Sequence, residues 1–314
     1  MNSGTTYPKQ PCAGGDANTS KRLCKGDLTR QHTKPGHTLV REFLCPRKAN
    51  MALTVKPRIQ KKTLEHVRIL TMDIETRPIE AYVWSLWKQN VGLSQVMERG
   101  HVMCFVAKWY GEKEVIFRSD FHDGHDEMIK AAWELMNECD LLVTYNGAAF
   151  DVPHLMREFA LLGLNPPKPH KDVDLIKTVR KRFNFSSNKL ANVVEELGIG
   201  AKMDTGGFEL WKGCMDNDPK SWERMRKYNV RDVAITERLY DRLRAWIVGH
   251  PHLSMWTGNP WACPSCGNED LSHENTGEAY ANVQRYRSYQ CPKCGSHVRG
   301  NRKLQDPTHT RSYQ

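Results

Sequence analysis

The sequence lacks the long apolar segments of membrane-spanning and secreted proteins. No stretch approaches the ~18 uninterrupted apolar residues of a membrane helix, and the first residues are polar rather than an apolar signal-peptide core. Internal repeats are also missing. We therefore expect an intracellular, cytoplasmic protein with no membrane partner.

An extreme composition is missing as well. Hydrophobic residues make up 39% and charged residues 26% of the 314 positions, which excludes a wholly disordered or fibrous chain. The positive charge is uneven, because residues 1–50 carry nine Lys or Arg against three Asp or Glu. A basic segment of this kind suits a polyanionic partner, although many such segments are only solvated.

Composition divides the chain into three parts. Residues 1–60 are predicted to form a basic, disordered arm; its Cys and His residues match no common zinc-finger spacing, and Met51 is an alternative start of translation. Residues 61–250 show three strand patterns followed by alternating helix and strand, which predicts an α/β sheet with helices on its faces. Residues 251–314 shift to Cys, Gly, Asn, Tyr and Trp, which predicts a small separate module.

Four carboxylates lie at the ends of predicted elements. Asp73 and Glu75 are two residues apart on the first strand, so both leave one face and repel each other unless a cation or proton intervenes. Asp151 begins a helix, where it would also suit an N-cap. Asp232 lies one helical turn after Tyr228, on the same face of a long helix. Taken singly, each acid has an equally good structural explanation as a strand-edge, cap or solvent-facing residue.

Together the acids form an ordered pattern. Asp-x-Glu, then Asn-x3-Phe-Asp, then Tyr-x3-Asp strongly resembles the DEDD superfamily of 3′–5′ exonucleases, over about residues 67–245. The histidine subgroup carries His at the position of Lys227, whereas Tyr228 matches the tyrosine subgroup (DEDDy), which includes proofreading domains of DNA polymerases. The resemblance implies a ribonuclease-H-like fold, an α/β mixed sheet flanked by helices. No polymerase domain fits in the remaining residues, so we expect a stand-alone exonuclease.

The resemblance also implies a chemistry. It implies hydrolysis of phosphodiester bonds from a single-stranded or duplex 3′ end of nucleic acid, with DNA favoured, and release of nucleoside 5′-monophosphates by a two-metal mechanism. Asp73, Glu75 and Asp232 would hold one Mg²⁺ or Mn²⁺ with the nucleophilic water, and Asp73 and Asp151 the second. Tyr228 would orient the water or help to deprotonate it, and we favour orientation because the unperturbed pKa of a phenol is near ~10.

A few residues are weaker candidates for substrate contact. Asn146 and Phe150 match the family's second motif, where they would shape the site. Lys189 could reach a phosphate, although solvent exposure is an equal alternative. Trp84 and Trp87, three residues apart in the connection after the first strand, either pack in a core or stack on bases; we favour core packing.

The last part carries the clearest metal pattern. Two C-x2-C pairs, each followed by glycine, are separated by 24 residues. Four thiolates are the standard ligands of structural Zn²⁺; the spacing also permits iron, and we favour one zinc in a zinc ribbon that helps to hold nucleic acid. The predicted ligands are Cys263, Cys266, Cys291 and Cys294.

Two other functions stay open. The chain could be a zinc-ribbon nucleic-acid-binding or assembly protein whose nuclease domain is only a scaffold. It could also be a structure-specific endonuclease that uses the same carboxylates, because a fold does not fix where a strand is cut. The presence of all four acids and the tyrosine favours the exonuclease.

Overall fold

A computed structural model describes Ile59 and residues 61–201, 206–247, 249–271 and 275–304. The predicted disordered arm, apart from Ile59, and the alternative start Met51 lie outside the described residues, as do residues 305–314. Ile59 is buried, and its N–H donates to the Tyr110 hydroxyl at 3.1 Å. None of the described helices combines the length and apolarity needed to cross a membrane.

The described residues contain ten β-strands, nine α-helices and two short 3-10 helices. The strands are β1 (Ile69–Thr76), β2 (Glu80–Ala81), β3 (Val96–Glu98), β4 (Val102–Trp109), β5 (Ile116–Ser119), β6 (Leu141–Thr144), β7 (Lys171–Asp174), β8 (Asn275–Ala281), β9 (Gln284–Gln290) and β10 (His297–Lys303). The helices are α1 (Lys61–Leu64), α2 (Asp120–Asp123), α3 (His125–Glu138), α4 (Asp151–Leu161), α5 (Leu175–Arg182), α6 (Leu190–Glu196), α7 (Phe208–Met215), α8 (Pro219–Leu243) and α9 (Ser254–Thr257).

The central sheet has the strand order β5-β4-β1-β6-β7. β1 pairs antiparallel with β4 and parallel with β6, so an antiparallel half and a parallel half meet at β1. Apolar layers cover both faces of the sheet, one formed with α3 and α4 and the other with α5 and α8. The predicted mixed α/β sheet flanked by helices is confirmed.

Successive side chains of β1 point to opposite faces of the sheet, so they pack alternately in the two apolar layers. One set packs against α3 and α4, namely Leu70, Met72 and Ile74. Ile69 lies on the opposite face, in the layer that contains Leu239 of α8. Asp73 and Glu75 follow Ile69 at two-residue intervals, so both acids lie on the α8 face.

Helix α8 is the longest described element, and Pro219 lies in its first turn, where proline is favoured. The Asp218 carboxylate accepts the N–H groups of Lys220 and Ser221 and caps the helix. A helix of 25 residues is ~38 Å long, enough to cross the sheet. It ends at Leu243, where residues 244–246 tighten into a 3-10 turn.

The C-terminal part forms an antiparallel sheet, β10-β9-β8, beside the four cysteines. Helix α1 contacts this part directly, since the Thr63 hydroxyl donates to the Gly267 carbonyl oxygen at 3.4 Å. A Cβ at Gly267 would come within 2.1 Å of that hydroxyl oxygen. Glycine is therefore required for the close approach of the two segments as well as for its φ of 69°.

The connection between β1 and β4 differs from the expectation. Residues 77–101, called here the aromatic hairpin, leave the sheet as the paired strands β2 and β3 and return to it. Trp84 is 97% exposed and Trp87 is 82% exposed, so the prediction that both pack in a core is wrong. Hydrophobicity and helical spacing alone favoured burial, whereas these residues lie at the tip of a projecting hairpin.

Candidate active site

The two acids of β1 lie where the strand outruns its parallel neighbour. Pairing with β6 covers Ile69 to Thr71 only, whereas pairing with β4 continues to Thr76. Asp73 and Glu75 therefore project from a strand end that β6 does not cover, and both are partly buried. This geometry leaves backbone groups of β1 open to a different partner.

Asp151 provides that partner. It is the first residue of α4, it is 4% exposed, and its Oδ1 accepts the N–H of Ile74 at 3.0 Å. Ile74 stands between Asp73 and Glu75, so this bond ties the start of α4 to the β1 acids. Burial raises the pKa of Asp151 to about 6; the charge of Asp174 adds to the rise, and the bond from Ile74 opposes it. The alternative that Asp151 is an N-cap is wrong, because the cap position is occupied by the preceding residue.

Tyr228 and Asp232 approach the same place from α8. Both residues are buried, and the phenol is hydrogen-bonded to the Asp232 carboxylate. Burial raises the pKa of Tyr228 far above its usual range, and the negative charges of Asp232, Glu75 and Asp73 raise it further. The phenol therefore lies within the field of three of the four predicted acids and keeps its proton at neutral pH.

The turn between β6 and α4 is held by a residue outside the predicted site. Asp174, at the end of β7, accepts the N–H of Asn146 at 2.7 Å and that of Ala148 at 3.3 Å. Asn146 has a φ of 73°, a left-handed conformation that Asn tolerates better than most residues. Phe150 is 37% exposed and its ring packs 4.6 Å from that of His154. Asp174 thus fixes the loop that leads into Asp151.

A pocket of 540 Å³ opens beside this turn. Asn146 and Lys189 both line it, so two of the weaker sequence candidates come together. Arg180 lines it as well and was not predicted. No carboxylate is among the described residues of the lining, and Lys189 is exposed at the start of α6. The pocket is chemically suited to an anion such as a phosphate.

The four cysteines form the second candidate site. All four are buried and their Sγ atoms lie within 4.8 Å of one another. Sγ to Sγ distances are 3.6 Å for Cys263 to Cys294 and for Cys266 to Cys291. Zinc–sulfur bonds of ~2.3 Å in a tetrahedron require sulfur separations of ~3.8 Å, whereas a disulfide requires ~2.05 Å. The cluster therefore fits a structural tetrahedral metal.

The four predicted carboxylates are not grouped as closely as the four cysteines. Within the described ranges, the cysteines are the only group of three or more potential ligands whose atoms all lie within 4.8 Å of one another. The predicted set of Asp73, Glu75, Asp151 and Asp232 does not meet that distance in three-way combination.

A basic groove of 990 Å³ lies on the C-terminal sheet. Arg287, Arg299, Arg302 and Lys303 line it together with the half-exposed Trp261. Among its described lining residues there is no Asp or Glu. The groove therefore has the charge and the aromatic surface of a nucleic-acid-binding groove.

Comparisons with known proteins agree with this fold. Residues 91–244 match the family model described as RNase_H superfamily. This range includes Asp151, Tyr228 and Asp232 and begins after Asp73 and Glu75. A DNA polymerase of Pyrococcus glycovorans is 26% identical in an alignment of 175 residues that covers 48% of this chain and 21% of the polymerase. The chain thus spans about a fifth of the length of that relative.

Among solved structures, the family B DNA polymerase of Pyrobaculum calidifontis is similar to this chain, and the match covers 57% of this chain and 25% of the polymerase chain. The TM-score is 0.45 and the sequence identity is 19%. The family match supports a nuclease-type activity, for which divalent metals are the general cofactors. Residues 91–244 of the α/β part are therefore similar to the RNase_H superfamily.

Proposed function

We propose that the chain is a metal-dependent 3′–5′ exonuclease of the tyrosine subgroup, with DNA as the favoured substrate and nucleoside 5′-monophosphates as products. The observation that carries the proposal is the convergence of two acids from β1 with a tyrosine and an acid from α8. The ring of Tyr228 packs in a buried cluster, while its hydroxyl faces the charges of three carboxylates, and carboxylates so placed suit cation binding.

The donor set fits hard divalent cations, because Mg²⁺ and Mn²⁺ prefer carboxylate oxygens. Asp73, Glu75 and Asp232 would hold one ion, and Asp73 and Asp151 the second. When bound, the ions supply an activated water and neutralise charge on the phosphate and the departing 3′ oxygen. Tyr228, protonated at neutral pH, would orient the water through its hydroxyl group.

The remaining side chains serve substrate binding. Arg180 and Lys189 place positive charge in the pocket beside Asn146, where a phosphate of the strand would lie. Phe150, partly exposed before α4, offers a ring to the terminal nucleotide. The basic groove of the C-terminal part, organised by zinc on the four cysteines, would hold a more distant segment of the strand.

End-labelled single strands test the proposal. A 5′-labelled strand incubated with Mg²⁺ or Mn²⁺ should shorten by one nucleotide at a time, a 3′-labelled strand should release labelled mononucleotide at once, and EDTA should stop both reactions. Internal fragments from a strand blocked at its 3′ end would indicate the endonuclease alternative instead. Binding of both strands without cleavage would favour the nucleic-acid-binding scaffold.

A further inference from the structure

The aromatic hairpin exposes an unusual amount of apolar surface. Its tip carries three aromatic residues in six positions, with Tyr82 73%, Trp84 97% and Trp87 82% exposed. Aliphatic neighbours are exposed as well, including Ile79, Leu86, Leu93 and Met97. Contiguous exposed apolar surface of this kind marks a binding site more often than a free surface.

Polar contacts hold the hairpin in place. The Arg77 guanidinium pairs with Glu80 at 3.0 Å and with Glu98 at 2.9 Å, which joins the bases of both strands. Nearer the tip, the Tyr82 N–H donates to the Gln95 carbonyl oxygen and the Gln95 amide donates to the Tyr82 carbonyl oxygen, each at 3.0 Å. The backbone is thus fixed without burial of the tryptophan rings, which remain available to a ligand.

The hairpin begins at the proposed active site. Residue 77 follows Glu75 by two positions, at the end of β1 that carries both acids. Tyr82 is seven residues beyond Glu75, so an extended chain places their Cα atoms at most ~25 Å apart. Stacked nucleotides advance ~3.4 Å each, and about seven of them would cover that distance. A strand whose 3′ end is at the acids can therefore reach the hairpin.

The chemistry of the tip favours a ligand that combines aromatic bases with negative charge, such as nucleic acid, over a cationic ligand. No acidic residue occurs between Glu80 and Glu98, and Lys88 adds a positive charge. We propose that Trp84 and Trp87, assisted by Tyr82, form a stacking platform for unpaired bases of the substrate. This inference rests on the proposed nuclease function and specifies single-stranded nucleic acid as the substrate class.

Binding of a fluorescent single-stranded 20-mer to the full chain, without Mg²⁺ or Mn²⁺, tests the platform. Stacking contributes ~1–3 kcal/mol per base, which is about 5-fold to 150-fold in Kd for each ring. The double change Trp84→Ala with Trp87→Ala should therefore weaken binding at least ~20-fold. Replacement of both residues by Phe should restore most of the affinity, and a 20-mer without bases should bind parent and Ala variant alike.

The matched control is the double change Leu86→Ala with Leu93→Ala, at two exposed aliphatic residues of the same tip. Its affinity should stay within about 2-fold of the parent, because no ring is lost. Equal affinities of the parent and the tryptophan variant would overturn the platform, and so would an equal loss in the leucine variant. Cleavage of the strand by the parent protein is measured separately. If the parent cleaves but binding does not depend on the tryptophans, only the platform is refuted. If binding depends on the tryptophans but the parent does not cleave, only the nuclease function is refuted.

Discussion

Asp151→Asn should stabilise the protein while it removes activity. Burial raises the pKa of this carboxyl from 3.8 to about 6, so the folded state binds its proton more tightly than the unfolded chain does. The associated stability is complete below pH 3.8 and is lost as the pH rises to about 6. At ~1.4 kcal/mol per pH unit, the buried charge costs about 3 kcal/mol above that range. Asn carries no charge, and its side-chain oxygen can still accept the Ile74 N–H.

Urea unfolding of both proteins from pH 4.5 to pH 8, with zinc retained and without Mg²⁺ or Mn²⁺, measures the effect. The gain in free energy of unfolding should grow from about 1 to about 3 kcal/mol over this range. Asp151→Ala is the control; it removes the same charge but also the acceptor for Ile74, so it should gain ~1–2 kcal/mol less. A gain that is independent of pH, or a less stable Asn variant, would refute the buried-charge reasoning.

Four further predictions concern the carboxylate site, the four cysteines and the basic groove. Asp232→Asn should abolish Mg²⁺-dependent cleavage with an unchanged circular dichroism spectrum, since only a metal ligand is lost. Tyr228→Phe should lower kcat at least ~10-fold and leave Mn²⁺ affinity within about 2-fold, as titration calorimetry would show. Cys263→Ser should reduce zinc from about one ion per chain to none by elemental analysis and unfold the C-terminal sheet. Arg299→Ala, in the basic groove, should reduce the salt dependence of strand binding by about one phosphate contact. Arg285 lies outside the groove and pairs with a neighbouring acid, so Arg285→Ala should leave the salt dependence unchanged.

Local periodicity explains what the sequence could predict. Two-residue alternation along β1 places Asp73 and Glu75 on one face, and the four-residue interval on α8 does the same for Tyr228 and Asp232. The C-x2-C pairs likewise report a local turn geometry, and Gly267 has the positive φ expected of it. Cys104, Cys139 and Cys214 are buried, as small apolar residues should be.

Long-range contacts explain the features that the sequence could not predict. Asp174 fixes the turn at Asn146 across 28 residues, and no local pattern links the two. Trp84 and Trp87 have the hydrophobicity and spacing of core residues, yet both are exposed. Ion pairs and backbone hydrogen bonds hold the hairpin that contains them outside the core. Apolar character predicts burial on average only, because much of any protein surface is apolar. The short helix α7 was also missed, since its eight residues include a glycine.

The central claim is that acids from β1, α4 and α8 hold two metal ions at one place. Crystals grown with Mn²⁺ and a nucleoside 5′-monophosphate test it through the anomalous difference map. We predict two peaks ~3.5–4 Å apart, one touching Asp73, Glu75 and Asp232 and the other between Asp73 and Asp151. A map with no peak at these carboxylates, or with Mn²⁺ bound only elsewhere, would contradict the account.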